Sequence, residues 1–165
     1  MSTRRIARIA VMAAVMVTVF HLFSQILYLE AITLSIAVLS AVVQRRDVVM
    51  AAVVFALVNM MIQGISLWTM AYLLVYPGYA MLLGWMKPVL LRHRWLAVVM
   101  VGLCSFATGQ LLDLPFILLD ARVTMIYVLM GLKTSLLQGM LSALEALFLF
   151  DPLVDRLQRI ERNYR

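Results

Sequence analysis

Residues 4–30 read RRIARIAVMAAVMVTVFHLFSQILYLE: three arginines, then a run from position 9 to position 29 with no Lys, Arg, Asp or Glu and few other polar side chains. A helix needs about 20 such residues to cross a bilayer. Hydrocarbon offers backbone amides no partner, so only helices and closed barrels span it, and a long apolar run without alternation selects the helix. Arginines ahead of an apolar stretch also resemble a secretory leader. This stretch is too long for a leader core and no small-residue cleavage site follows, so it reads as a retained first helix.

The rest of the chain repeats the pattern. Apolar residues make up 65% and charged residues 13% of the 165, and the mean hydropathy is +1.00, which excludes an ordinary soluble domain. Charge and turn signals predict one transmembrane domain, residues 1–165, with helices at about 6–29, 31–43, 48–63, 67–86, 95–113 and 134–150. An external loop is expected at 114–131, where Gly131-Leu132-Lys133 interrupts the last apolar region, and a cytoplasmic tail at 151–165. Segments two and three are short for lone lipid-facing spans and are expected to form a tilted hairpin inside the bundle. The net charge of +6 does not form a nucleic-acid-binding stripe; it falls in clusters between apolar runs. With the N-terminus inside and six spans, 12 of the 14 Lys and Arg residues lie on the cytoplasmic side, Arg122 and Lys133 excepted. The expected fold is therefore an all-α membrane protein of six transmembrane helices with both termini cytoplasmic.

No glycine-rich phosphate loop, paired-histidine motif or nucleotide site is present, so the chain is not expected to be an enzyme. Cys104 is alone in an apolar run and reads as a packing residue. No metal or covalently bound cofactor is expected. Trp68, Tyr72, Tyr76 and Tyr79 recur at helical spacing in the fourth segment, either as a stacking wall for a flat ligand or as interfacial and core aromatics. His21, Gln25 and Tyr28 share a face at the outer end of the first helix, where polar groups need a partner or a cavity. Gln110 and Asp113 stand at the outer end of the fifth segment. Lys133 opens the last helix, followed on one face by Thr134, Gln138, Ser142 and Glu145; a Lys133–Asp113 ion pair is the alternative to a ligand role. Glu30, Asp120 and Arg122 are further outer charges, able to meet a substrate or pair among themselves. Glu145 is about 9 Å from Asp151 by helical rise, deep enough to need a partner, and reads as structural or coupling-related.

Ala10 and Ala14 are four apart on one face of the first helix with Ala7, a spacing that lets another helix approach closely, within the chain or from a partner. With the six short-looped helices and the last-helix opening Gly131-Leu132-Lys133-Thr134, this alanine pair resembles the substrate-binding S component of energy-coupling factor (ECF) vitamin importers. The resemblance implies a vitamin site in the outer half, walled by helices one, four, five and six and the outer loops. It implies docking through Ala10 and Ala14 to a transmembrane coupling subunit that works with two ATP-binding cassette ATPases in a bacterial plasma membrane. On that reading His21, Gln25, Tyr28, Trp68, Tyr72, Tyr76, Gln110, Asp113, Lys133 and Gln138 are the substrate-binding candidates. Cobalamin is the first expectation among the family's substrates; riboflavin, pantothenate or another small vitamin is the alternative, and Lys133 favours an anionic one. Two other classes fit the size and helix count: an MreD-like structural protein of the cell-shape machinery, and a stand-alone small-solute carrier, which normally carries inverted repeats not found here. One conflict stands inside this reading. By helical phase His21, Gln25 and Tyr28 fall on the same face as Ala10 and Ala14, which cannot serve a ligand and a partner together without a bend.

Overall fold

Seven α-helices and one 3-10 turn follow one another in the computed structural model, which describes residues 2–26 and 28–163: α1 (Thr3–Phe23), α2 (Ile32–Val42), α3 (Arg45–Gln63), α4 (Leu67–Trp85), α5 (Lys87–Arg92), α6 (Arg94–Leu111), the turn Leu114–Leu118, and α7 (Ala121–Asn163). No strand occurs among the described residues. Among the described residues five stretches are long and apolar enough to cross a membrane: Thr3–Phe23, Arg45–Gln63, Leu67–Trp85, Arg94–Leu118 and Ala121–Arg162. The remaining long apolar element, α2, has 11 residues, about 16 Å, well short of the roughly 30 Å of hydrocarbon.

That shortness fits its position. α2 touches every other helix, and all its residues except Ser35 and Val42 are buried. It is the axis of the bundle, sheathed from lipid by its neighbours. Most of the exposed large apolar side chains lie on the outer faces of α1, α3, α4, α6 and α7, as a bilayer solvent requires.

The ends of the bundle differ in chemistry. At one end Asp47, fully buried in the first turn of α3, pairs with Arg5 at 2.6 Å and with Arg8, and Arg8 reaches Glu161 near the end of α7 at 3.3 Å. Lys87 donates to the carbonyls of Val42 and Val43 at 2.9 and 3.3 Å, capping the negative end of α2. Arg94 pairs with Asp151 at 3.0 Å. The start of α1 and the end of α7 therefore meet at this basic end. Trp85 and Trp95, 75% and 70% exposed, ring the same end. At the opposite end Trp68 packs on Phe116 and Tyr127, with ring centroids 4.9 and 6.5 Å away. Trp68 and Trp85 bracket α4 about 26 Å apart by helical rise, close to a hydrocarbon thickness, as two interfacial aromatic belts would be.

Several boundaries differ from those read in the sequence. The first helix ends at Phe23 instead of running to 29: Ser24 closes it, its hydroxyl donating to the His21 carbonyl at 3.0 Å, and Tyr28 takes a left-handed φ of 64° that turns the chain back into the bundle. The external loop expected at 114–131 is instead a 3-10 turn followed by the first part of α7, which runs unbroken through Gly131, Lys133 and Pro152 to Asn163. Gly131 does not break the helix. It is where α7 passes Asp113, whose Oδ2 would lie 3.1 Å from any added Cβ. The tail expected at 151–165 is helical to residue 163 because its apolar positions keep the helical period: Val154 is buried and Leu157 packs on the core. The link expected between segments four and five contains the short helix α5, with Pro88 in its first turn.

α6 and α7 form the closest helix pair, and two glycines make it possible. A Cβ on Gly139 would lie 2.9 Å from the Gly102 carbonyl and 2.9 Å from Phe106 Cβ, while one on Gly102 would lie 3.0 Å from the Gly139 carbonyl. Small residues at such a crossing let backbones pack. Gly139→Val is accordingly expected to destabilise the detergent-solubilised protein by roughly 1–3 kcal/mol. Gly78→Ala, at an exposed position with nothing within 4 Å of the added carbon, should leave the thermal midpoint unchanged or slightly raised. Equal midpoints for Gly139→Val and wild type would contradict the close crossing.

Candidate functional site

The turn after α1 carries Glu30 into the middle of the bundle. Its carboxylate accepts from Thr33 at 2.7 and 2.8 Å to the two oxygens, from Ser105 of α6 at 2.6 Å and from the Gln138 amide of α7 at 3.4 Å. The Ser142 hydroxyl lies 3.0 Å from the Glu30 carbonyl and 2.9 Å from Ser105 Oγ, closing a network across three helices and the turn. Ser105 is 11 residues into α6 from Arg94, about 16 Å from the basic end, so this carboxylate stands near mid-depth. α2 fills the bundle from there to the basic end. Toward the opposite end lies a cavity of about 240 Å3, lined among others by Phe20, Phe23, Tyr28, Glu30, Thr134 and Gln138.

Aromatic rings wall the space beside Glu30. Phe20, Phe55, Tyr72, Tyr76 and Tyr79 form a chain of ring contacts with centroids 5.3 to 6.4 Å apart. Tyr72, Tyr76 and Tyr79 all lie within electrostatic reach of the Glu30 carboxylate. The fourth-segment stripe thus does two jobs. Tyr72, Tyr76 and Tyr79 point into the bundle, Tyr79 meeting Thr108 at 3.3 Å, while Trp68 sits at the rim and donates from Nε1 to Asp113 at 3.3 Å.

The structure divides the other sequence candidates. Gln138 joins the Glu30 network, and Tyr28 lines the cavity. Gln110 donates to Ser135 at 2.8 Å, tying α6 to α7 nearer the rim. His21 Nδ1 is 2.9 Å from the Val17 carbonyl and its ring packs edge-on against Phe20, while Nε2 is buried with no partner among the described residues. Gln25 is exposed in the turn. Lys133 is exposed and makes no ion pair among the described residues, so the Lys133–Asp113 pair does not form; Asp113 is engaged by Trp68 instead. Ala10 and Ala14 lie on an exposed face of α1 with Ala7, Val11 and Thr18. The conflict over that face is lifted for Gln25 and Tyr28, which are off the helix because α1 stops at Phe23; His21 stays on it, in phase with Ala14.

Glu30 itself was legible only as one of several outer charges. Its weight comes from the chain reversal at Tyr28, which no local pattern announces. Glu145 lies seven residues beyond Gln138 on the same stripe of α7, and both its oxygens are buried without a hydrogen-bond partner among the described residues. At the cavity itself the Glu30 carboxylate, the Gln138 amide, the Thr134 hydroxyl and the rings of Phe20, Phe23 and Tyr28 suit a ligand that donates hydrogen bonds or carries positive charge.

No protein-family model, curated protein or solved structure matches this chain.

Accessibility tests this geometry. In a Cys104→Ser background, Thr134→Cys, at an exposed position beside the cavity, is expected to react with a polar maleimide in detergent, and Ser142→Cys, fully buried beneath it, to stay unlabelled over the same period. Labelling of both at similar rates would mean that the bundle is open below Glu30.

Proposed function

We propose that this protein is the substrate-binding S component of an ECF-type vitamin importer, taking its ligand from the outer face into the hollow above Glu30. The observation that carries the reading is the Glu30 network. A carboxylate held at mid-depth beneath a cavity and beside a tyrosine wall is an expensive arrangement in a bilayer and marks a functional site by default. The basic end, with its arginine clusters, supports a cytoplasmic position for both termini, which puts the cavity on the outer side. The uncovered face bearing Ala7, Ala10 and Ala14 supports docking of a coupling subunit there, with two ATPases beyond it.

Cavity size and chemistry narrow the substrate. About 240 Å3 supports a small vitamin over cobalamin. The Glu30 carboxylate in the lining disfavours an anion such as pantothenate, and Phe20, Phe23 and Tyr28 beside it favour a flat ring with donor groups or a positive charge.

Purification in mild detergent followed by mass spectrometry of the released small molecules tests this. One small vitamin per chain is expected, with affinity falling at least about tenfold in Glu30→Gln, the effect of removing one charged hydrogen-bond partner. Ala14→Trp is expected to keep the vitamin and lose the coupling subunit and ATPases in a pull-down from the native host. An empty protein that binds no vitamin, or one that co-purifies with cell-wall synthesis proteins, would overturn the reading.

A further inference from the structure

α1 and α7 do not pack on each other: no Cα of one comes within 8 Å of a Cα of the other, and α2 lies between them as a floor. At the basic end this seam widens into a cleft of about 1430 Å3. Its walls and floor are apolar, from Val11 of α1, Leu39 and Val42 of α2, and Leu157 and Ile160 of α7. Its rim carries Arg4, Arg5 and Arg8, with Glu161 as the acid among the lining residues. Asp47 and Glu161 offset part of this charge through their pairs with Arg5 and Arg8. Arg4 is exposed with no ion pair among the described residues, and the Nε of Arg8 is buried without an acceptor. Arg45 and Arg46, exposed at the start of α3, add to the positive field. Trp85 and Trp95 put this end at the depth of a membrane interface.

An apolar trough that opens laterally between two membrane helices and ends at headgroup level in Arg4, exposed without an ion pair among the described residues, beside the partly compensated Arg5 and Arg8 matches an amphiphile with an anionic head. We propose that the α1–α7 cleft is a binding site for an anionic phospholipid, its phosphate on Arg4 and Arg8 and its acyl chain along Val11, Leu39 and Ile160. The cleft is far larger than a phosphate ion alone requires, and its apolar floor gives a soluble anion nothing to bury. This site is separate from the Glu30 cavity, which lies at the other end of the same seam.

Native mass spectrometry of the delipidated protein tests the proposal, with phosphatidylglycerol, phosphatidylcholine of the same acyl chains, and glycerol 3-phosphate as probes. One phosphatidylglycerol per chain is expected to survive activation that strips phosphatidylcholine, and glycerol 3-phosphate should not bind. Arg4→Gln is expected to weaken retention of phosphatidylglycerol roughly fivefold, the contribution of one basic residue near an anionic surface. Val11→Trp, which fills the trough from an exposed position, should displace the lipid while leaving the thermal transition in place. Equal retention of the two lipids, binding of glycerol 3-phosphate as tight as that of the lipid, or unchanged retention in both variants would overturn the proposal. Vitamin binding at Glu30 is read independently in the same samples, so failure of one site leaves the other assessable.

Discussion

A carboxylate at mid-depth in a bilayer must find its hydrogen-bond donors inside the protein, and the arrangement of this bundle follows from how Glu30 finds them. Thr33, Ser105 and Gln138 converge on it from α2, α6 and α7, and Ser142 holds its backbone. To get there the chain must leave α1 early, reverse at Tyr28 and start α2 halfway down. α2 is consequently too short to cross, and it is stable only because the surrounding helices bury it and Lys87 caps its far end.

The same constraint explains why the interior is unequal along its length. Between Glu30 and the basic end, α2 fills the axis with close-packed aliphatic residues. Between Glu30 and the opposite end the chain makes a turn, and Phe20, Phe23, Tyr28 and Gln138 face the cavity that remains. The ring of helices around α2 is also incomplete, because α1 and α7 are bridged at the basic end by the Arg8–Glu161 pair without packing along their length. A cavity at one end of that seam and a cleft at the other are two consequences of one central helix that is shorter than its sheath.

Much of this was legible in the sequence. Apolar runs separated by short charged links placed α3, α4 and α6 to within about three residues, because hydropathy and breaker residues act locally, whereas they made the first helix too long and the last too short at both ends. The tyrosines at positions 72, 76 and 79 could be read as a stripe, since a helical face is a property of spacing alone. What escaped was tertiary. The end of α1 at Phe23 is set by Glu30 being drawn inward, not by a strong local stop; residues 24–29 are as compatible with helix as with turn. Gly131 and Lys133 read as a break, yet Gly131 serves close passage beside Asp113 and Lys133 is tolerated because it is exposed. Gln110 and Asp113 were found by position, but their partners, Ser135 and Trp68, lie on other helices and could not be foreseen. Glu30 read as one outer charge among several, able to meet a substrate or pair with another charge.

A double-mutant cycle between Glu30→Gln and Ser105→Ala, followed by thermal or chemical unfolding in detergent, measures the central interaction itself. If the carboxylate is held in the bundle by that hydroxyl, the two changes should couple by roughly 1–3 kcal/mol. Effects that simply add, to within about 0.5 kcal/mol, would mean that Glu30 and Ser105 do not meet and that α2 does not begin at mid-depth.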